Sequence, residues 1–245
     1  MSARRLAALF ALALLFSVPA FAAKRRAARS APAPAAGTGD CHEFGLVRAG
    51  QQATYHSTAP GGDADFTITW ITDTPTFTHT TQKVTTAQGT ADAETRLDGE
   101  LVGNLRALKH FNVKTTMAVP VIGSVTTEAD VTFVPSLVQG PADGWCVGNT
   151  WSIPAVTETL VASTPIGQQT QIITTIASTG EVLAVGEMVS VPAGNFRTVK
   201  YRGATISGTT VQTSITWVSM DLNIVVKQET IDGNGAVTST TVLTR

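Results

Sequence analysis

Threonine alternating with apolar residues is the feature that most narrows what this chain can fold into. The 245 residues hold 39 threonines against 2 tyrosines, 4 histidines and 14% charged side chains. Phe66, Ile68 and Trp70 fall on one face of an extended chain with Thr67 and Thr69 on the other, and Leu222, Ile224 and Val226 repeat the pattern against Asn223, Val225 and Lys227. Branched and aromatic side chains suit a pleated, half-buried surface. Turn residues punctuate the runs at Pro60-Gly61-Gly62, Gly140-Pro141, Pro192 to Asn195 and Asp232 to Gly235, so short strands joined by tight connections are expected. The pattern predicts an all-β domain: a curved antiparallel sheet, a half-barrel or open sandwich, with meander topology.

One stretch competes with that reading. Leu97, Leu101, Leu105 and Leu108 recur at helical spacing. Gly99 and Gly103 oppose a helix, at a cost of about 1 kcal/mol each relative to alanine. Asp98-Gly99 is a hairpin pair, so strand, turn, strand is expected here, with a short helix as the alternative.

The N-terminus reads as an address. Arg4 and Arg5 precede an apolar run from Leu6 to Val18, and Ala20-Phe21-Ala22 supplies the small-x-small pattern of a cleavage site, so residues 1–22 are expected to be a signal peptide. Leu6 to Ala23 followed by Lys24-Arg25-Arg26 also fits an uncleaved membrane anchor, the alternative reading. Residues 23–39, with alternating Ala and Pro and the cations Lys24, Arg25, Arg26 and Arg29, form a linker. The cations either tether the chain to anionic lipid or wall polymer or serve as a solubilising tail. The residues before Cys41 lack the apolar-small-small run of a bacterial lipoprotein leader. The domain then spans residues 40–245, in halves of about 40–139 and 140–245.

Cleavage leaves 223 residues with a formal charge of −3, or −7 without the linker. That is ample for one core, and the mildly acidic balance argues against nucleic acid as a partner, since phosphate binding needs a basic stripe. The cysteines, Cys41 and Cys146, are two in number, and an exported chain pairs them in an oxidising compartment. A metal role for Cys41-His42-Glu43 is disfavoured, because three consecutive residues on a strand cannot converge on one ion.

The chain also looks doubled. Ile68-Thr69-Trp70 recurs as Ile215-Thr216-Trp217, and Gly50 to Tyr55 is echoed by Gly148 to Trp151; a chance match within a threonine-rich chain is the competing explanation.

Val147 to Trp151, the run Val189-Ser190-Val191-Pro192-Ala193-Gly194-Asn195-Phe196, and Ile215 to Trp217 followed by Val225 to Glu229 form a pattern. It resembles the TapB-like, domain-of-unknown-function group of exported bacterial proteins. The resemblance covers mainly residues 146–245 and implies an architecture similar to the half-barrel lipoprotein carriers of the periplasm (LolA-like), whose curved sheet shelters acyl chains. Where that group places a glycine before its valine-lysine pair, this chain has Leu222-Asn223-Ile224.

Reaction chemistry is hard to find. There is no Gly-x-Ser-x-Gly elbow and no Ser-x-x-Lys pair. His42, His56, His79 and His110 lack zinc-site spacing, leaving only a cross-strand meeting of His56 and His79 as a metal alternative. The pairs Asp63/Asp65, Asp92/Glu94 and Asp98/Glu100 each share a strand face but read as solvated turn charges. Asp232 to Gly235 lacks the further ligands of a calcium loop and reads as a hairpin turn.

Phe66, Trp70, Trp151, Phe196 and Trp217 either fill the core or line a cavity for an apolar ligand. The sequence thus points to a non-enzymatic envelope protein, periplasmic or extracellular, without cofactor, metal or catalytic residues. Its expected partner is an apolar or lipid-like ligand or an envelope protein. A structural or adhesive surface component and, third, a hydrolase are the alternatives, and membrane contact is expected only through the leader or linker.

Overall fold

The structure, a computed structural model, describes residues 41–87, 89–103, 105–119, 123–138, 140–163, 167, 169–207 and 210–245. The expected signal peptide, linker and anchor alternative lie outside the described residues. Among those described, fourteen strands follow one another: β1 (Cys41–His42), β2 (Gln52–Thr58), β3 (Ala64–Asp73), β4 (Phe77–Thr86), β5 (Gly89–Val102), β6 (Leu105–Val119), β7 (Gly123–Val138), β8 (Trp145–Cys146), β9 (Thr150–Ser163), β10 (Gln169–Val191), β11 (Gly194–Ser207), β12 (Thr210–Ser219), β13 (Val225–Ile231) and β14 (Val237–Leu243).

Twelve of them form an antiparallel meander that closes on itself, because β14 pairs with β2 and β7 with β9. The expected half-barrel or open sandwich is therefore corrected to a closed barrel. Closure removes the free sheet edges that an open sheet would present. Six barrel strands precede β8 and six follow it.

Alternation sets the wall. On β2, Ala53, Tyr55 and Ser57 are buried, and on β3 Ala64, Phe66, Ile68 and Trp70 follow, while the residues between face outward. The outward face carries Asp65, Lys83, Asp92, Glu94, Arg96, Asp98, Lys114, Glu128 and Asp130. That distribution is the inverse of a membrane-spanning barrel, which turns an apolar band outward. No helix among the described residues is long and apolar enough to cross a membrane.

The Leu97 to Leu108 stretch is strand, turn, strand, as expected, but the reversal comes after Val102, where β5 ends, and before Leu105, where β6 begins. Asp98-Gly99 instead forms an irregularity inside β5, where the pairing with β6 slips between Asp98 and Gly99. A Cβ on Gly99 would meet the Ala107 carbonyl oxygen at 2.7 Å, so the glycine serves cross-strand approach, not reversal.

Between β12 and β13 the chain turns through Asn223, at φ 57°. Asparagine is one of the few side-chain-bearing residues that adopt this left-handed region. Here its side chain adds a role: Oδ1 accepts from the Gly45 amide at 3.1 Å and Nδ2 donates to the Leu46 carbonyl at 3.4 Å.

Eight strands enclose an interior that side chains just fill, and sixteen leave a channel. Twelve leave room for more than wall side chains, and at one end this chain supplies the filler. Cys41 and Cys146 are joined by a disulfide across the two-residue ladder β1–β8, as expected. Phe44, Val47 and Trp145 beside it are each only 3% exposed and share one core cluster with Phe66, Trp70, Val199 and Val226. A buried Asp73 accepts from the Val47 amide at 2.9 Å, from Thr78 Oγ1 at 2.5 Å and from Arg106 Nη1 at 3.1 Å, fixing the segment to β3, β4 and β6. A second cluster, built on Leu97, Phe111, Val131, Phe133, Val156 and Ile176, lines the β5–β10 side.

Candidate binding lumen

The six hairpins β2–β3, β4–β5, β6–β7, β9–β10, β11–β12 and β13–β14 turn at the end opposite the disulfide. Toward that end the inward positions change character. Ala91 and Ala93 on β5, Thr115 on β6, Thr127 and Ala129 on β7, and Ala162 on β9 replace the bulky residues of the closed end. Thr115, Thr127, Leu160, Ala162, Thr174 and Ser178 keep accessible surface although they share a face with core residues. The barrel is thus plugged at the disulfide end and accessible from the hairpin end.

The floor is aromatic. Trp145 packs on Trp151 and Tyr201 with ring centroids 5.5 and 5.2 Å apart, Trp151 lies 5.8 Å from Tyr201, and Phe44 closes on Trp145 at 5.3 Å. Burial pushes the Tyr201 phenol above its ordinary range against a hydrogen bond from Thr216 that lowers it. Trp151 crosses β10 at Gly180, where a Cβ would lie 2.0 to 2.3 Å from the indole, so the glycine is what lets the ring lie flat.

The five aromatics that the sequence offers as an apolar ligand face do not form one surface. Phe66 and Trp70 are core residues of β3, and Trp151 faces the interior above them. Phe196 and Trp217 fall on the other face of their strands, three residues from Val199 and one from Val218 respectively, yet Trp217 is 6% exposed and belongs to the core cluster of Phe66 and Trp70, with Phe196 packed against it. Trp217 stands opposite Lys200 and Lys227, whose ammonium groups lie 5.0 and 4.8 Å from its ring centroid. Its face follows from the unbroken β11–β12 register, in which Tyr201 stands opposite Thr216 and Val199 opposite Val218.

Two polar groups that sequence reasoning missed point into the lumen. Glu158 lies on β9 between Val156 and Leu160, both packed in the second core cluster, and stands opposite Phe133 on β7 and Thr174 on β10. Burial raises its carboxyl above the ordinary carboxylate range. Gln82, on β4 opposite Ile68 and Ala93, is 8% exposed, and its Nε2 has no hydrogen-bond partner. The signal was present in Val156-x-Glu158-x-Leu160, an alternation that puts a carboxylate on an apolar face.

Glu158 has a consequence for stability. A carboxyl whose folded pKa exceeds its unfolded value stabilises the fold while protonated, and that contribution is lost as pH rises from the unfolded value through the folded one. Glu158→Gln is expected to raise the melting temperature at pH 7 and leave it unchanged at pH 4, measured by thermal unfolding at both.

The remaining ionisable groups sit on the outer wall. His56 meets Asp65 at 2.8 Å on exposed surface, and His79 meets Glu94 at 2.9 Å, with β3 between the two histidines' strands. His110 bridges Asp98 at 3.1 Å and Asp130 at 2.9 Å. Burial lowers its pKa and the two hydrogen-bonded carboxylates raise it further, leaving it above the ordinary value. Among the described residues no group of three or more such side chains is placed to hold a metal ion. Asp92 and Glu94 share one face, as their spacing implies, in a shallow outer groove of roughly 490 Å³ with Lys83, Lys114, Thr67 and Thr81. Asp232 caps its own hairpin by accepting from the Asn234 and Ala236 amides, both at 2.9 Å.

No protein-family pattern and no curated protein matches the sequence. The TapB-like resemblance is therefore without support from any family match. Among solved structures the chain is similar to a provisionally assigned lipoprotein of Parabacteroides distasonis, at 13% identity over 84% of this chain and 99% of that one, with a TM-score of 0.34. At that score the likeness carries no argument. The disulfide is the observation that bears on compartment, because such bridges form and persist outside the cytoplasm.

Proposed function

We propose that this is an exported, non-enzymatic envelope protein whose barrel lumen holds an apolar or lipid-like ligand. One observation carries the reading: a closed twelve-stranded wall, with apolar clusters and scattered threonines within and its charges mostly without, is plugged at its disulfide end and lined with small accessible residues at its hairpin end. Binding sites of this kind occur in the mouths of β-barrels, where concave apolar walls carry a few polar groups. The five sequence-chosen aromatics contribute unequally, with Trp151 near the lumen floor and Trp217 buried on the face of β12 opposite Val218, beneath two lysines.

An alanine in the wall gives the test. The protein is expected to bind a fluorescent fatty-acyl probe at one site per chain, and Ala129→Phe, which fills the lumen from β7, is expected to weaken that binding at least tenfold. Undiminished binding by a folded Ala129→Phe protein, or no saturable binding by the parent, contradicts the lumen reading.

A further inference from the structure

Resting on that reading, we infer that the lumen selects amphiphiles with a cationic amine head group, held against Glu158. An apolar wall has no structural use for a lone carboxylate. Taking such a group from water without a partner is costly, and the usual remedies are a paired cation or a proton. Neither neighbouring strand offers a cation on that face: β7 presents Val131 and Phe133, and β10 presents Thr174 and Ile176. Glu158 keeps partial access to the lumen, so a partner can come from the ligand.

Gln82 supplies an independent observation. It is more than nine-tenths buried, shares its strand face with Thr80 and Val84, and holds an amide Nε2 that donates to nothing. A buried donor left unpaired costs about 1 to 3 kcal/mol. A hydrogen-bond acceptor on a guest satisfies it, as an ammonium satisfies Glu158. The row that Gln82 starts runs through the small residues Ala93, Thr115 and Thr127, and Ala129 and Ala162 lie on the hairpin side of Glu158 on β7 and β9, so the wall leaves space open between the two groups. The ligand class that fits is an alkyl chain ending in an amine, with a hydroxyl or carbonyl acceptor along it.

Decylamine, decanol and decanoate, titrated separately into the folded exported protein at pH 7.5, provide the test by displacement of the acyl probe. Decylamine is expected to bind at least tenfold more tightly than decanol, with decanoate weakest. Glu158→Gln is expected to erase the difference between amine and alcohol. Glu128→Gln, which removes an outward carboxylate bonded to Asn112, is expected to keep it and so separates lumen recognition from attraction to an acidic surface. Equal binding of amine and alcohol, or a preference that survives Glu158→Gln, overturns this inference while leaving the lumen intact as a site. Binding of none of the three, in a protein that also fails to take the probe, removes the lumen reading with it.

Discussion

Replacing Cys41 and Cys146 by serine is expected to cost about 4 to 5 kcal/mol of folding stability, the loop-closure entropy of a bridge of this span. The two cysteines stand 105 positions apart. The effect is concentrated at one end of the barrel, because the ladder that the bridge supports is only two residues long on each side. Without the bridge, Phe44, Val47 and Trp145 depend on their own burial and on the Asp73 hydrogen bond to stay in the plugged end. The expected result in urea is a midpoint shifted downward, together with increased binding of a hydrophobic dye as the plug loosens. A shift worth less than about 1 kcal/mol, within the range of ordinary surface substitutions and below that of a lost long-span bridge, contradicts the view that the disulfide holds the plug.

Gly180→Ala is the second large effect, expected at about 3 kcal/mol, at the upper end of ordinary overpacking. One methyl group is enough because its nearest neighbours are ring atoms of Trp151 at 2.0, 2.2 and 2.3 Å, not a flexible side-chain end. The ring cannot step aside freely, since Trp145 and Tyr201 pack on it. Trp151→Ala alone is expected to cost about 3 to 5 kcal/mol by leaving a cavity. In the double variant the new methyl has room, so the two losses are expected to fall short of their sum by more than 1 kcal/mol. Strict additivity in chemical denaturation contradicts the contact.

Local pattern carried much of the fold. The period of two in Phe66, Ile68 and Trp70 places β3 with its buried face, and Ile224 and Val226 are buried as their alternation implies, although Leu222 belongs to the preceding turn. The cysteine pair was legible from count and compartment alone. Closure was not, because it depends on Tyr55 meeting Leu243 across almost the whole chain, and no local signal records that pairing. The Asp98-Gly99 turn signal was overridden by β5–β6 register, which needed a glycine for close approach and placed the reversal further on. Trp217 shows the reverse problem. Its Ile-Thr-Trp setting matches that of Trp70 and both rings are buried in one cluster, but Trp217 reaches it from the opposite strand face, covered by two lysines. Glu158 was legible in principle and obscured in practice, since a single carboxylate in a strand reads as solvated unless both of its i±2 neighbours are weighed.

Native mass spectrometry of the protein purified from its own host under non-denaturing conditions tests the central claim most directly. The expected spectrum shows the oxidised chain carrying one amphiphile that collisional activation releases, with organic extraction recovering the same species. A spectrum of the bare chain alone, from protein whose lumen also excludes the acyl probe, contradicts it.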